Sequence, residues 1–129
     1  MSINPEYLKL FVQATEKAAY GASKFIGKND KIGADQAAVD CMRSEFNKID
    51  MFGKIVIGEG EMDEAPMLYI GEEVGTKKGQ KLDIAVDPLE GTNFVANNLP
   101  NSFSMMAATE QNNLFFAPDT YMEKIAIGS

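Results

Sequence analysis

The chain has 129 residues, 45% hydrophobic and 24% charged, with a formal net charge of −7; that composition fits one globular domain, and without a dense basic tract it argues against nucleic-acid binding. Histidine is absent and Cys41 is the single cysteine. These counts exclude His-based nucleophilic triads, zinc sites of the histidine type and an internal disulfide, leaving carboxylates, hydroxyls, lysine, tyrosine or a bound metal to carry any chemistry.

The longest apolar runs, such as Ile55-Val56-Ile57 and Leu114-Phe115-Phe116-Ala117, fall far short of the roughly 20 residues of a membrane span. Met1-Ser2-Ile3-Asn4-Pro5 shows no basic stretch ahead of an apolar run, so the expectation is a cytoplasmic chain without a secretion signal. Pro5 to Ile26 reads as a helix, with Phe11, Ala14, Ala18, Ala22 and Phe25 at three- and four-residue steps, ended by Gly27. Lys28-Asn29-Asp30-Lys31 is a polar loop, in which Lys31 reads as solvated. A second helix is predicted from about Ala34 to Ile49, with Asp35 at its start as a cap and Cys41 as a small hydrophobe among its apolar positions.

Lys54 to Ile57 reads as a short buried strand, followed by the acidic run Gly58-Glu59-Gly60-Glu61-Met62-Asp63-Glu64-Ala65-Pro66. Gly71 to Gln80 is expected to be turn or loop. Leu82 to Val86 is a second strand, leading into a turn at Asp87-Pro88-Leu89-Glu90-Gly91-Thr92 and a short helix near Asn93. Ser104–Thr109 and Leu114–Phe116 are predicted strands joined by a hairpin turn at Gln111-Asn112-Asn113, and Tyr121–Ile127 a last strand. The sum is an α/β (α+β) fold, helices packed on a mixed sheet, in a single domain over 1–129.

Two strand ends carry the chemistry: Glu59 and Glu61 after the first, Asp87 and Glu90 after the second. Ligands in α/β sheets gather beyond the carboxyl ends of strands. If the two strands are neighbours the four carboxylates converge, and their repulsion calls for protons or a multivalent cation. Oxygen donors suit hard ions such as magnesium or manganese, and two-metal sites bridged by carboxylates serve phosphoryl transfer. Pro88 fixes the backbone beside Asp87, Gly91 allows close approach of a phosphate, and Thr92 supplies a hydroxyl. Taken singly, each piece has a plainer reading: a solvated loop, a turn, a helix cap.

The stretch Gly58 to Glu72 resembles the signature of class II fructose-1,6-bisphosphatases, and Asp83-Ile84-Ala85-Val86-Asp87-Pro88-Leu89-Glu90-Gly91-Thr92 is similar to their second motif. The latter is also a variant of the Asp-Pro-x-Asp-Gly-Thr motif of the wider lithium-sensitive phosphatase superfamily. Ala117-Pro118-Asp119 with Tyr121-Met122-Glu123-Lys124 resembles a third segment. The resemblance implies a sugar-phosphatase fold and manganese- or magnesium-dependent hydrolysis of the 1-phosphate of fructose 1,6-bisphosphate, a gluconeogenic step, with sedoheptulose 1,7-bisphosphate accepted by some members. It implies Asp35, Glu59, Asp87 and Glu90 as metal ligands, with Glu90, Gly91 and Thr92 bordering the substrate phosphate and Tyr121 touching substrate. Thr92 would orient or deprotonate the attacking water with Asp35 or Asp63 as partner, and no covalent phospho-enzyme is needed.

Members of that family are more than twice as long, and their C-terminal part brings another acidic ligand and the arginines that grip the distant phosphate. Arg43, on a predicted helix, is the single arginine here. The resemblance thus implies the N-terminal part of such an enzyme, a truncated fragment that is partial or inactive, whose exposed strands at the cut edge invite association, including a homo-oligomer. Two alternatives stand beside it: a phosphatase for another sugar, inositol or nucleotide phosphate, and a non-catalytic chain that binds metal or pairs with a full-length subunit.

Overall fold

Alanine and glycine set the spacing of the first two helices. Helix α1, Glu6–Ser23, and helix α2, Lys31–Phe46, pack together in the computed structural model, which describes residues 2–60, 67–116 and 123–128. Ala14, Ala18 and Ala22 of α1 and Ala34 and Ala38 of α2 are buried. A Cβ at Gly21 would stand 2.7 Å from the Ala37 carbonyl oxygen and 2.8 Å from Cys41 Sγ, so glycine is what lets the helices meet. Cys41 is half-buried in that contact, as a small packing residue.

The sheet has four strands in the order β2-β1-β3-β4: β1 is Met51–Ile57, β2 Glu73–Val74, β3 Gln80–Glu90 and β4 Phe103–Glu110. Strands β1 and β3 run parallel, with Ile55 opposite Ile84, while β2 and β4 pair antiparallel on the two sides. Met51, Ile55, Leu82, Ile84 and Val86 join the helices' buried side chains in one core around Met42 and Phe46. The arrangement is thus the expected helices on a mixed sheet, and the parallel neighbours send both acidic segments toward the same end.

Tyr7 ties α1 to this frame: its hydroxyl donates to the Asp50 carbonyl at 2.7 Å and accepts from the Gln80 amide at 3.3 Å. A third, short helix, α3 (Thr92–Ala96), follows β3. The α1–α2 loop is fastened to it, Gly27 N–H donating to the Val95 carbonyl at 2.9 Å and Asn29 N–H to that of Ala96 at 2.8 Å. Those bonds hold the start of α2 beside the end of β3.

Several expectations are corrected. Helix α2 begins at Lys31, three residues before Ala34, because Asp30 rather than Asp35 caps it, its Oδ1 accepting from Gly33 N–H at 2.8 Å. Strand β3 runs through Pro88 to Glu90, with a register shift between Asp87 and Glu90, where a free turn was expected. The stretch expected to be loop contains β2. Residues 114–116 form no strand: β4 pairs with β3 instead, and the turn after it is held by Asp83, whose Oδ2 accepts from Asn112 N–H at 2.7 Å. Residues 123–128 are likewise without strand, leaving Ile125 and Ile127 exposed, while Tyr121 and Met122 lie outside the described residues.

Candidate metal centre

Three elements deliver carboxylates to the end of the β1–β3 pair. Asp35 comes from the second turn of α2, Asp87 and Glu90 from the last residues of β3, and Glu59 from the segment just past β1. Asp35 and Asp87 are half-buried. Burial is the main cause that pushes the Asp87 carboxyl up to about 7 from its ordinary 3.8; the adjoining Glu90 carboxyl adds to the rise, and so does the negative field of Asp35, against a lowering hydrogen bond from the Leu89 backbone. Burial also raises Asp35, and its Oδ1 is buried with no hydrogen-bond partner among the described residues.

The register shift explains how Asp87 and Glu90 meet. In an unbroken strand, residues three apart point to opposite faces. The irregularity between them removes one step of that alternation, and Pro88, buried and without an N–H, sits inside it. Gly91 then turns the chain in the left-handed region, φ 80° and ψ 50°, where a Cβ would stand 2.8 Å from the Phe94 ring. Ser102 steadies the corner, its hydroxyl donating to the Glu90 carbonyl at 2.7 Å. Thr92, the first residue of α3, follows directly and is half-buried.

On the β1 side, Gly58 lets the chain pass under the return arm 67–72, because a Cβ there would strike the Leu68 carbonyl oxygen. Glu59 N–H donates to that same carbonyl at 3.1 Å. Asp63, with Glu61 and Glu64, lies outside the described residues, and so does Tyr121.

The structure therefore sets Asp87 beside Glu90 and within the field of Asp35, with Glu59 on the neighbouring strand end. Among the described residues no three carboxylates or thiols stand close enough to form a ready ligand set. A buried, unpartnered carboxylate oxygen on Asp35 and a carboxyl at Asp87 that burial keeps from ionising are both features that a hard divalent cation would satisfy, and the donors are all oxygens. The residues present fit such an ion. A groove of about 550 Å³ between α1 and β4, lined by Ile3, Leu8, Phe11, Val12, Met105 and Met106, is apolar and holds none of these carboxylates.

Sequence reasoning missed one residue pair that shapes this end of the sheet. Arg43, two turns past Asp35 on α2, grips Glu72: Nε donates to Oε1 at 2.7 Å and Nη2 to Oε2 at 3.1 Å. Nη2 also donates to the Met67 carbonyl, and Tyr69 N–H donates to Glu72 Oε2 at 3.2 Å. Glu72 is buried, and its hydrogen bond holds the Arg43 guanidinium above its ordinary range. The available signal was the chain's single arginine, on a helix, with an unassigned glutamate closing the acidic signature.

A layered α/β fold with clustered carboxylates at parallel strand ends defines a class of phosphate-handling enzymes. The chain belongs to one family of that class: residues 6–129 match the family described as bacterial fructose-1,6-bisphosphatase, glpX-encoded. It is 52% identical over 124 residues to the D-fructose 1,6-bisphosphatase class 2/sedoheptulose 1,7-bisphosphatase of Prochlorococcus marinus strain AS9601, an alignment covering 96% of this chain and 37% of that protein. It is 50% identical over 127 residues to the protein of the same description from Thermosynechococcus vestitus, covering 89% of this chain and 37% of the relative. The chain thus spans little more than a third of the length of these curated relatives. No helix among the described residues is long and apolar enough to cross a membrane.

Proposed function

We propose that this chain supplies the carboxylate side of a metal-dependent site for hydrolysing the 1-phosphate of fructose 1,6-bisphosphate. Asp35, Glu59, Asp87 and Glu90 would hold manganese or magnesium. The observation that carries the reading is the bulged end of β3, which sets Asp87 beside Glu90, together with the buried, unpartnered Oδ1 of Asp35 on the adjoining helix. The relatives' printed names supply the substrate class, a sugar bisphosphate, with sedoheptulose 1,7-bisphosphate as a second candidate. A cytoplasmic location accompanies this reading.

When bound, divalent metal ions would lower the pKa of water and neutralise charge on a phosphoryl group. The chain's own residues prepare the place. The bulged end of β3 aims Asp87 and Glu90 to the same side, and Glu90 and Gly91 would border the substrate phosphate. Thr92, just beyond, offers its hydroxyl to orient a water, with Asp35 or Asp63 as the carboxylate that takes its proton. Tyr121 would contact the sugar.

A second reading is favoured by the coverage. With little more than a third of the relatives' length, the chain could bind metal, or pair with a longer subunit, without turning over substrate. Two measurements test these readings. Manganese binding should be lost with Asp87→Ala or Glu90→Ala and retained with Glu64→Ala; equal effects of all three would sink the ligand assignment. Phosphate release from fructose 1,6-bisphosphate with manganese should then be compared with that of a full-length relative. Turnover by this chain that is lost on Thr92→Ala supports the catalytic reading, and turnover by the relative alone supports the metal-binding one.

A further inference from the structure

Glu59 has no rigid element of its own to stand on. Strand β1 ends at Ile57, and beyond it the chain is held by the return arm 67–72. Glu59 N–H donates to the Leu68 carbonyl at 3.1 Å and Ile70 N–H to the Gly60 carbonyl at 3.4 Å. Lower down, Ile55 N–H donates to the Glu72 carbonyl at 2.9 Å and Gly71 N–H to the Ile55 carbonyl at 2.8 Å. The arm is in turn bolted to helix α2 by Arg43, through both oxygens of Glu72 and the carbonyl of Met67. The same helix carries Asp35, about 12 Å nearer its N-terminus at 1.5 Å per residue. One rigid helix therefore bears Asp35 directly and Glu59 at one remove.

We propose that Arg43 is a positioning residue for the metal centre: its planar fork, closed on Glu72 and Met67, sets the place of Glu59 relative to Asp35. The inference rests on the metal reading above. The fork geometry is the essential part. Lysine would keep the charge, but its donors sit on one nitrogen and lack the parallel pair that meets both carboxylate oxygens. A surface ion pair would not do this work, but Glu72 is buried and receives a further hydrogen bond from Tyr69 N–H, so the carboxylate is fixed at both oxygens. Residues bonded directly to a metal's ligands are worth about 10–100-fold in metal affinity, and Arg43, acting through the arm, falls at the low end of that range.

The test uses the 129-residue chain, manganese binding followed by electron paramagnetic resonance, and amide hydrogen exchange by NMR in the absence of metal. Arg43→Lys is expected to weaken manganese binding about 10-fold and to speed exchange at Glu59 and Ile70, while amides of the β1–β3 ladder such as Ile84 keep their protection. A second variant, Arg43→Met with Glu72→Leu, replaces the polar clamp by apolar contact. It is expected to keep thermal stability close to that of the parent and still lose manganese affinity. Unchanged affinity and unchanged Glu59 exchange in Arg43→Lys would overturn the proposal, as would faster exchange throughout the chain, which marks a structural role only. A parent chain that binds no manganese would overturn the metal reading and this role with it; the Glu59 and Ile70 exchange rates, measured without metal, tell that failure apart from a clamp that holds nothing.

Discussion

Asp87→Asn should move stability and metal binding in opposite directions. In the folded chain the Asp87 carboxyl is held up to about 7, against an ordinary 3.8. The folded state therefore keeps a proton that the unfolded chain gives up at lower pH. Stability falls wherever the folded state binds more protons, so this group costs nothing below about pH 4 and its cost grows until about pH 7. At 1.36 kcal/mol per pH unit the interval corresponds to a ceiling of about 4 kcal/mol. Asp87 is only half-buried, and solvent screening reduces the realised cost to on the order of 1–2 kcal/mol. Asn keeps the shape and carries no charge to desolvate. The variant should then melt several degrees above the parent at pH 8 in the presence of a chelator, and by less than half that margin at pH 5. With manganese at pH 8 the order reverses, because the parent gains a ligand and the variant does not. Thermal unfolding by circular dichroism at the two pH values, with and without manganese, reads all four conditions. A parent that is as stable at pH 8 as at pH 5, or a variant less stable than the parent at pH 8 without metal, would refute the picture of a carboxyl trapped by burial and by its neighbour Glu90.

Other positions separate structural from functional acid residues. Gly91→Ala places a Cβ at φ 80° against the Phe94 ring; a loss of about 1–2 kcal/mol in denaturant unfolding is expected from the left-handed conformation alone. Asp83→Ala, which leaves Asn112 N–H without its acceptor beside β4, should lower stability by about 1–3 kcal/mol while manganese affinity stays at the parental value. Phe46→Ala, at a fully buried position between the helices and the sheet, should cost about 3–5 kcal/mol; unfolding monitored in urea checks it, and a loss under 1 kcal/mol would mean the core is not packed as described.

Much of the architecture was legible because it is written in short-range patterns. The alanine steps of α1, the β-branched run at Ile55 to Ile57 and the alternation Leu82, Ile84, Val86 each name a buried face by period alone. That β1 and β3 are neighbours stood only as the condition under which the carboxylates would converge; the register shows them paired, and parallel. What escaped depends on competition among neighbours. Asp30 and Asp35 are both plausible caps, and only the fit of Gly33 against the Asp30 carboxylate decides for Asp30. Leu114-Phe115-Phe116 reads as a strand by composition, but β4 is already paired with β3 along its length, and Asp83 closes the turn that a hairpin would have used. The Arg43–Glu72 clamp joins residues far apart in sequence, and no local period announces it.

The same division bears on what one third of a family's length can do. The candidate ligands come from α2, the end of β1 and the end of β3. Those three elements are fixed to one another by contacts wholly inside this chain: the β1–β3 ladder, the loop bonds from Gly27 and Asn29 to α3, and the clamp from Arg43 to Glu72. The single arginine among those elements is engaged with Glu72. Metal affinity and turnover should therefore separate. If the ligand frame is self-sufficient, manganese affinity of this chain will approach that of a full-length relative even where phosphate release does not. An affinity weaker by about a hundredfold or more, equivalent to about 2.7 kcal/mol, would mean that the frame is completed from outside these residues, and the local contacts described here would then hold the fold without holding the ion.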